Sequence, residues 1–111
     1  MKSMFLVLAL LAGQAIAMQD KPIVHLKPHS NTIDQRFRGS LVELSNSPST
    51  VYLPASLPPP DSSGNPWSVD VKNFGPAAVT IVGKQDFTTT VGVSQTIHIE
   101  VNGQGYKLKQ H

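Results

Sequence analysis

Residues 67–72 read Trp-Ser-Val-Asp-Val-Lys and residues 97–102 read Ile-His-Ile-Glu-Val-Asn, so apolar and polar side chains alternate along both segments. Successive side chains of a β-strand point to opposite faces, and this pattern therefore predicts two half-buried strands. The same alternation predicts strands around residues 79–81, 87–91 and 106–109. We expect the apolar faces of these strands to form the core, which should contain Val69, Val71, Val79, Ile81, Phe87, Val91, Ile97, Ile99, Val101 and Leu108.

Turn-forming residues separate the predicted strands. Asn102-Gly103 stands between two alternating runs and is typical of a two-residue hairpin, because both residues tolerate positive φ. Upstream, residues 38–44 and 50–53 form two further candidate strands on either side of the turn-forming residues 45–49. No segment after residue 17 has helical spacing, so nothing predicts the helices that usually connect parallel strands. The sequence predicts an all-β fold, either an antiparallel sandwich or a small barrel.

The first 17 residues have the features of an export signal. Lys2 supplies a positive charge, residues 4–12 form an apolar run too short to span a bilayer, and Ala15 and Ala17 place small side chains before a peptidase cleavage site. We expect cleavage of this signal peptide, residues 1–17, and no stable membrane insertion of the remaining chain. The alternative is a retained N-terminal membrane anchor.

Composition divides the rest of the chain into an arm and a domain. Residues 18–35 form a polar N-terminal arm with one apolar segment, residues 23–26, which is a candidate edge strand. We expect this strand to pair with the chain's own sheet, and pairing with a neighbouring molecule is the alternative. Residues 36–111 form the predicted β-sandwich domain, which contains a proline-rich loop over residues 54–66.

The lack of cysteine indicates where the protein is located, and the charge balance restricts the classes of partner that it can bind. An exported chain without cysteine gains no disulfides, which favours a bacterial protein of the periplasm or the extracellular space. Once Lys2 is removed, basic residues outnumber acidic ones by only one. The pairs Arg36 with Arg38 and Lys107 with Lys109 are isolated, whereas nucleic-acid binding needs basic residues clustered on one face. We therefore expect no nucleic-acid partner.

The residues that most often carry chemistry do not form a catalytic, metal or cofactor pattern. The G-x-S-x-G elbow of hydrolases is incomplete, and Asp70 and Glu100 fall on outward strand faces, where acids are usually solvated. His25 and His29 would lie about 13 Å apart on an extended strand, too far for one ion. His98 and Glu100 share a strand face about 6.6 Å apart, without a third ligand near in sequence. We therefore expect a protein that is not an enzyme and has no cofactor.

Residues 67–101 carry a family resemblance in their turns. Asn73, Gly75 and Pro76 match an x-N-x-G turn between two core strands, and Gly92, Ser94 and Gln95 approximate a G-x-S/T turn before a late strand. In these features the segment, about a third of the chain, resembles bacterial immunoglobulin-like modules of the CARDB type. The resemblance implies an antiparallel immunoglobulin-like β-sandwich of about seven short strands, with an accessory or adhesive role.

The sequence therefore predicts a small secreted, non-catalytic module with a binding or structural role, whose partner is a protein or a glycan. Modules of this class usually bind through loops or free strand edges. The candidate partner-binding residues are Pro58, Pro59 and Pro60 together with Trp67, although a Trp at the start of a strand more often fills a core. Two alternatives remain: an assembly subunit or inhibitor that acts by strand addition or through the proline-rich loop, and a metal-assisted hydrolase.

Overall fold

Residues 21–109 are described by the structure, a computed structural model, and they confirm the all-β prediction. The predicted signal peptide, with Ala15 and Ala17, lies outside these residues. The described chain contains, in order, β1 (Ile23–Leu26), a single-turn 3₁₀ helix (Gln35–Phe37), β2 (Leu41–Leu44), β3 (Thr50–Tyr52), β4 (Ser68–Asn73), β5 (Val79–Gly83), β6 (Phe87–Val91), β7 (Thr96–Asn102) and β8 (Gly105–Lys109). Over the same residues, no helix has the length and apolar character needed to cross a membrane.

The strands form two mixed sheets, which corrects the antiparallel prediction. The five-stranded sheet has the order β1-β2-β4-β7-β8 and the three-stranded sheet the order β3-β5-β6. The pairs β1–β2, β2–β4 and β3–β5 are parallel, whereas β4–β7, β7–β8 and β5–β6 are antiparallel. The prediction failed because it required helices for parallel crossovers. In this chain, the connection between the parallel strands β2 and β4 passes through β3 of the opposite sheet, and the connection between β3 and β5 passes through β4. These strands take the place of a crossover helix.

The strand directions give the domain two ends. β1, β2 and β4 run parallel and finish at one end, where the connections are residues 27–30, 45–49, 74–78 and 92–95. We call it the Phe74 end. The opposite end carries residues 34–39, 54–66, 84–86 and 103–104, and we call it the Trp67 end.

The core contains most of the predicted residues and several that alternation did not indicate. All of the predicted residues are buried except Phe87 and Val101, which are partly buried against the core, and Leu108, which is 38 % exposed. The prediction that Leu108 is a core residue was wrong, because the three-stranded sheet covers β8 only at Tyr106. The centroid of the Tyr106 ring lies 6.0 Å from that of Phe87. Trp67 is buried as well, as expected for a Trp at the start of a strand. Core residues beyond the prediction are Leu26, Ile33, Val42, Leu44, Val51, Leu53 and Tyr106.

Two aromatic side chains close the core at the Trp67 end. Trp67 is fully buried and meets Tyr106 edge-on, with 6.1 Å between the ring centroids. The Tyr106 hydroxyl donates to the carbonyl of Pro54 at 2.7 Å, and burial raises the pKa of Tyr106 to about 12. Gly83 allows this close packing, since a Cβ at that position would lie 2.6 Å from the Tyr106 ring.

Candidate functional site

The proline-rich loop is fixed to the domain and exposes only part of its predicted binding surface. Pro58 is buried, whereas Pro59 and Pro60 are exposed. An Arg38 guanidinium N–H donates to the carbonyl of Pro59, which holds the loop against the segment before β2. Trp67 is fully buried, so it is not available to a partner in this structure. Of the four candidate partner-binding residues, only Pro59 and Pro60 are therefore accessible to a partner.

A cluster of ionisable side chains lies on the outer face of the five-stranded sheet. The antiparallel register of β4 and β7 places Asp70 opposite His98, and His98 Nδ1 donates to Asp70 Oδ1 at 2.5 Å. Lys21 Nζ donates to the other carboxylate oxygen of Asp70 at 2.7 Å. Glu100 Oε1 lies 3.6 Å from His98 Nε2, and Lys109 Nζ lies 3.6 Å from Glu100 Oε2. Asp70 is buried beneath these contacts, so it is not the solvated acid that the sequence predicts.

The chemistry of this cluster is that of an ion-pair network. In a serine hydrolase, the imidazole nitrogen that does not face the acid points at a hydroxyl nucleophile. The corresponding Nε2 of His98 instead faces the carboxylate of Glu100. The other two histidines of the described residues do not join the cluster: His25 Nδ1 pairs with Glu43 Oε1 at 2.8 Å, and His29 is exposed in the turn after β1. Within residues 21–109, no group of three His, Asp or Glu side chains is arranged to hold a metal ion.

Substitution of Asp70 by asparagine is expected to remove part of the acid sensitivity of folding. Burial alone would raise the pKa of Asp70, but the hydrogen bonds from Lys21 and His98 outweigh it and hold that pKa below its ordinary value. A carboxyl group whose pKa is lowered by folding stabilises the folded state at pH values above its unfolded-state pKa of about 3.9. This stabilisation is lost as the pH falls through the lower pKa of the folded state. At neutral pH, D70N should therefore cost about 1–3 kcal/mol.

The measurement is urea unfolding of wild type and D70N between neutral pH and strong acid. The difference in unfolding free energy should shrink below a pH of about 4. D86N is the matched control, because Asp86 is an exposed acid in the turn after β5. A D70N difference that stays constant over the whole pH range would contradict the role given to the ion pairs.

The free edge of the five-stranded sheet at β8 is a second candidate site. In the part of the chain that the structure describes, no strand pairs with the outer side of β8. At β3, by contrast, the outer side of the strand is paired with the arm: Tyr52 N–H donates to Asn31 O, and Ile33 N–H donates to Tyr52 O. The arm thus pairs within its own chain, through β1 in one sheet and residues 31–33 beside the other.

Backbone register identifies the unpaired groups of β8. Val101 in β7 donates its N–H to Trp67 O, on the side away from β8. Backbone groups of successive residues point to alternate sides, so Val101 and its partner Tyr106 form a non-hydrogen-bonded pair. The N–H and C=O groups of Tyr106 therefore point to the free edge, and those of Leu108, two residues later, point the same way.

The side chains of β8 form one basic and one apolar face. Lys107 and Lys109 are exposed on the outer face of the sheet, in register with Glu100 and His98. Leu108 is on the core-facing side but remains 38 % exposed. A groove of about 420 Å³ follows the strand and is lined by Glu100, Asn102, Lys107, Leu108 and Lys109.

A more apolar groove lies on the three-stranded sheet. Tyr52 is 47 % exposed and lines this groove of about 480 Å³ together with Thr32, Ala55 and Val82. An exposed tyrosine ring beside a hydroxyl could contact either a protein or a sugar.

Buried Asn73 organises the connections at the Phe74 end. Its Nδ2 donates to Ala77 O at 2.8 Å and to Val91 O at 3.0 Å, and its Oδ1 accepts from the N–H of Gly75 at 2.8 Å. Because Val91 belongs to β6, Asn73 links the two sheets as well as shaping the turn after β4. The sequence marked Asn73 as a turn residue and gave no sign of this burial.

Comparisons with known proteins leave the family open. The chain matches no protein-family model, no curated protein and no solved structure. The resemblance to CARDB-type modules therefore stays a prediction. Two surfaces were not predicted from the sequence: the β8 edge, and the exposed side chains of Phe74 and Val93. The β8 edge can be recognised only from the strand order. Phe74 and Val93 are single apolar residues within turns, and such a residue does not indicate from sequence whether it is exposed.

Proposed function

We propose that this chain is a small non-catalytic binding module of the bacterial envelope or extracellular space, and that it binds a partner protein by adding the partner's strand to β8. The free backbone groups of Tyr106 and Leu108, beside the exposed Leu108 side chain and the adjacent groove, carry this proposal. Strand addition satisfies exposed edge groups by main-chain hydrogen bonds, while side-chain pockets give specificity. A glycan does not supply a regular ladder of amide groups, which is why we favour a protein partner.

The charges of β8 define the kind of strand that fits. Lys107 and Lys109 point to the same face, so a partner strand with acidic residues at alternate positions would place opposite charges across the new pair. Its intervening apolar residues would cover Leu108. Pairing with the β8 of a second copy is disfavoured, because lysines would then lie opposite lysines.

The remaining features support a binding role over a catalytic one. In the cluster around Asp70, both nitrogens of the His98 ring face carboxylates, those of Asp70 and Glu100. The predicted export signal and the absence of cysteine support the proposed location. An immunoglobulin-like sandwich is our proposal for the fold family, supported by the two packed sheets and the turn at Asn73, Gly75 and Pro76, although part of each sheet is parallel.

The test uses two synthetic peptides of about ten residues, a length that matches a typical long strand. One alternates valine with glutamate and the other valine with lysine. In NMR titrations of the purified protein, the acidic peptide should bind and should protect the amides of Tyr106 and Leu108 from hydrogen exchange. The double variant K107E/K109E should reverse the preference, with a change of about tenfold or more in Kd for each peptide.

Matched variants separate the edge from the rest of the surface. L108P removes one outward N–H but none of the hydrogen bonds to β7, and proline is tolerated at such edge positions. It should abolish binding, whereas K84E, a charge reversal in the turn after β5, should leave Kd unchanged. Binding that survives L108P and is lost in Y52A would overturn strand addition and assign recognition to the groove at Tyr52. Failure of the acidic peptide to bind would overturn it as well.

A further inference from the structure

The Phe74 end presents two large apolar side chains on adjacent connections. Phe74 is 51 % exposed and Val93 is 50 % exposed. The two loops touch, since a Cβ placed on Gly75 would lie 3.2 Å from Val93 Cγ1. Residues 76–78, Pro-Ala-Ala, are also exposed and extend this apolar surface. Water is therefore in contact with apolar side chains on two adjacent connections rather than with one isolated side chain.

Several backbone N–H groups at this tip are paired inside the protein. The N–H of Phe74 donates to Leu44 O, that of Ser94 donates to Asn73 O, and the Asn73 side chain holds the turn between them. With these backbone groups paired, the exposed side chains of Phe74 and Val93 are the main groups that the tip presents to an occupant.

Charge distinguishes the two ends of the domain. The connections at the Phe74 end contain no Asp or Glu, whereas those at the Trp67 end contain Asp34, Asp61 and Asp86. An acid-free apolar tip would meet an anionic surface without repulsion.

A lysine is already positioned beside the exposed ring. Lys72 Nζ lies 4.9 Å from the centroid of the Phe74 ring. The acid in register with Lys72 is Glu43, whose Oε1 lies 2.8 Å from Nδ1 of His25. Lys72 can therefore contact a lipid phosphate while its aliphatic stem follows the ring to the interface.

We infer that the Phe74 end docks on an anionic lipid surface, with Phe74 and Val93 inserted at the level of the headgroups and Lys72 on the phosphates. The association is peripheral and reversible, because only two large side chains are inserted. It goes beyond the proposed binding at β8 and does not depend on it. The two together would hold a captured partner protein close to a membrane.

Flotation of the purified protein with large unilamellar vesicles tests the inference. Wild type should bind vesicles of phosphatidylcholine with about 30 % phosphatidylglycerol, and F74S/V93S should lower the partition coefficient about tenfold or more. K72Q should weaken binding to these vesicles roughly fivefold and leave binding to pure phosphatidylcholine unchanged. I23S is the control, because Ile23 is as exposed as Phe74 but starts β1 at the opposite end.

Insertion has a direct readout that does not require loss of binding. In F74W, lipids brominated on their acyl chains should quench the introduced indole, while wild type, whose Trp67 is buried, should show no quenching. Wild type that stays out of the vesicle fraction at every lipid concentration would overturn the inference. So would a double variant that binds like wild type, or an unquenched F74W. None of these results would affect the peptide titrations at β8.

Discussion

Replacing Trp67 by alanine is expected to lower the free energy of unfolding by about 3–5 kcal/mol, the range found for large-to-small substitutions in cores. The indole is fully buried, packs edge-on against Tyr106, and donates its Nε1–H to Gln35 O at 2.8 Å. W67A would remove this packing, leave a cavity and remove one of the two donors to the Gln35 carbonyl, the other being the N–H of Arg38. Small domains are stable by about 5–15 kcal/mol, so the loss is a large part of the total.

Urea unfolding followed by far-ultraviolet circular dichroism gives the measurement. W67F keeps most of the apolar volume and loses the hydrogen bond, so it should cost less than W67A, at about 1–3 kcal/mol. Y52A is the exposed control and should cost about 1 kcal/mol or less. Equal losses for W67A and Y52A would show that Trp67 does not close the core, and would return it to the candidate binding residues.

Alternation predicted the strands because it is a local property. Residues 87–91 were predicted as a strand and form β6, and residues 97–102 lie within β7. The partners of each strand depend on where the chain crosses between sheets, which no local pattern specifies. The failure at Leu108 has the same origin. Its place in an alternating run is that of a core residue, but only the width of the opposite sheet determines whether that face is covered.

Candidate sites were harder to predict than strands because they combine residues that are distant in sequence. Asp70 and His98 are 28 positions apart, and the β4–β7 register alone brings them into contact. The β8 edge is defined by the absence of a neighbouring strand in the described fold, which is a property of the strand order. The sequence did predict correctly that Asp70, His98 and Glu100 belong to polar strand faces.

Substitution of Asn73 by leucine is expected to cost about 2–4 kcal/mol, because the change has nearly the same volume but removes every polar partner. The side chain is 1 % exposed, and its loss would remove a buried donor to the carbonyls of Ala77 and Val91 and the buried acceptor of the Gly75 N–H. The amide of Gly75 should also exchange faster with solvent. N102A, at an exposed position of the last hairpin, should cost less than about 0.5 kcal/mol.

Asn73 and Trp67 hold the two sheets together at opposite ends, which makes their combined effect a test of the whole arrangement. Asn73 reaches from β4 to the carbonyl of Val91 in the three-stranded sheet, while Trp67 packs on Tyr106, which meets Phe87 of that sheet. Distant substitutions with no shared partner are usually additive. The double variant W67A/N73L should therefore lose about 5–9 kcal/mol, enough to prevent folding of a domain of ordinary stability. If its loss in urea unfolding were no larger than that of W67A alone, the two ends would not be independent.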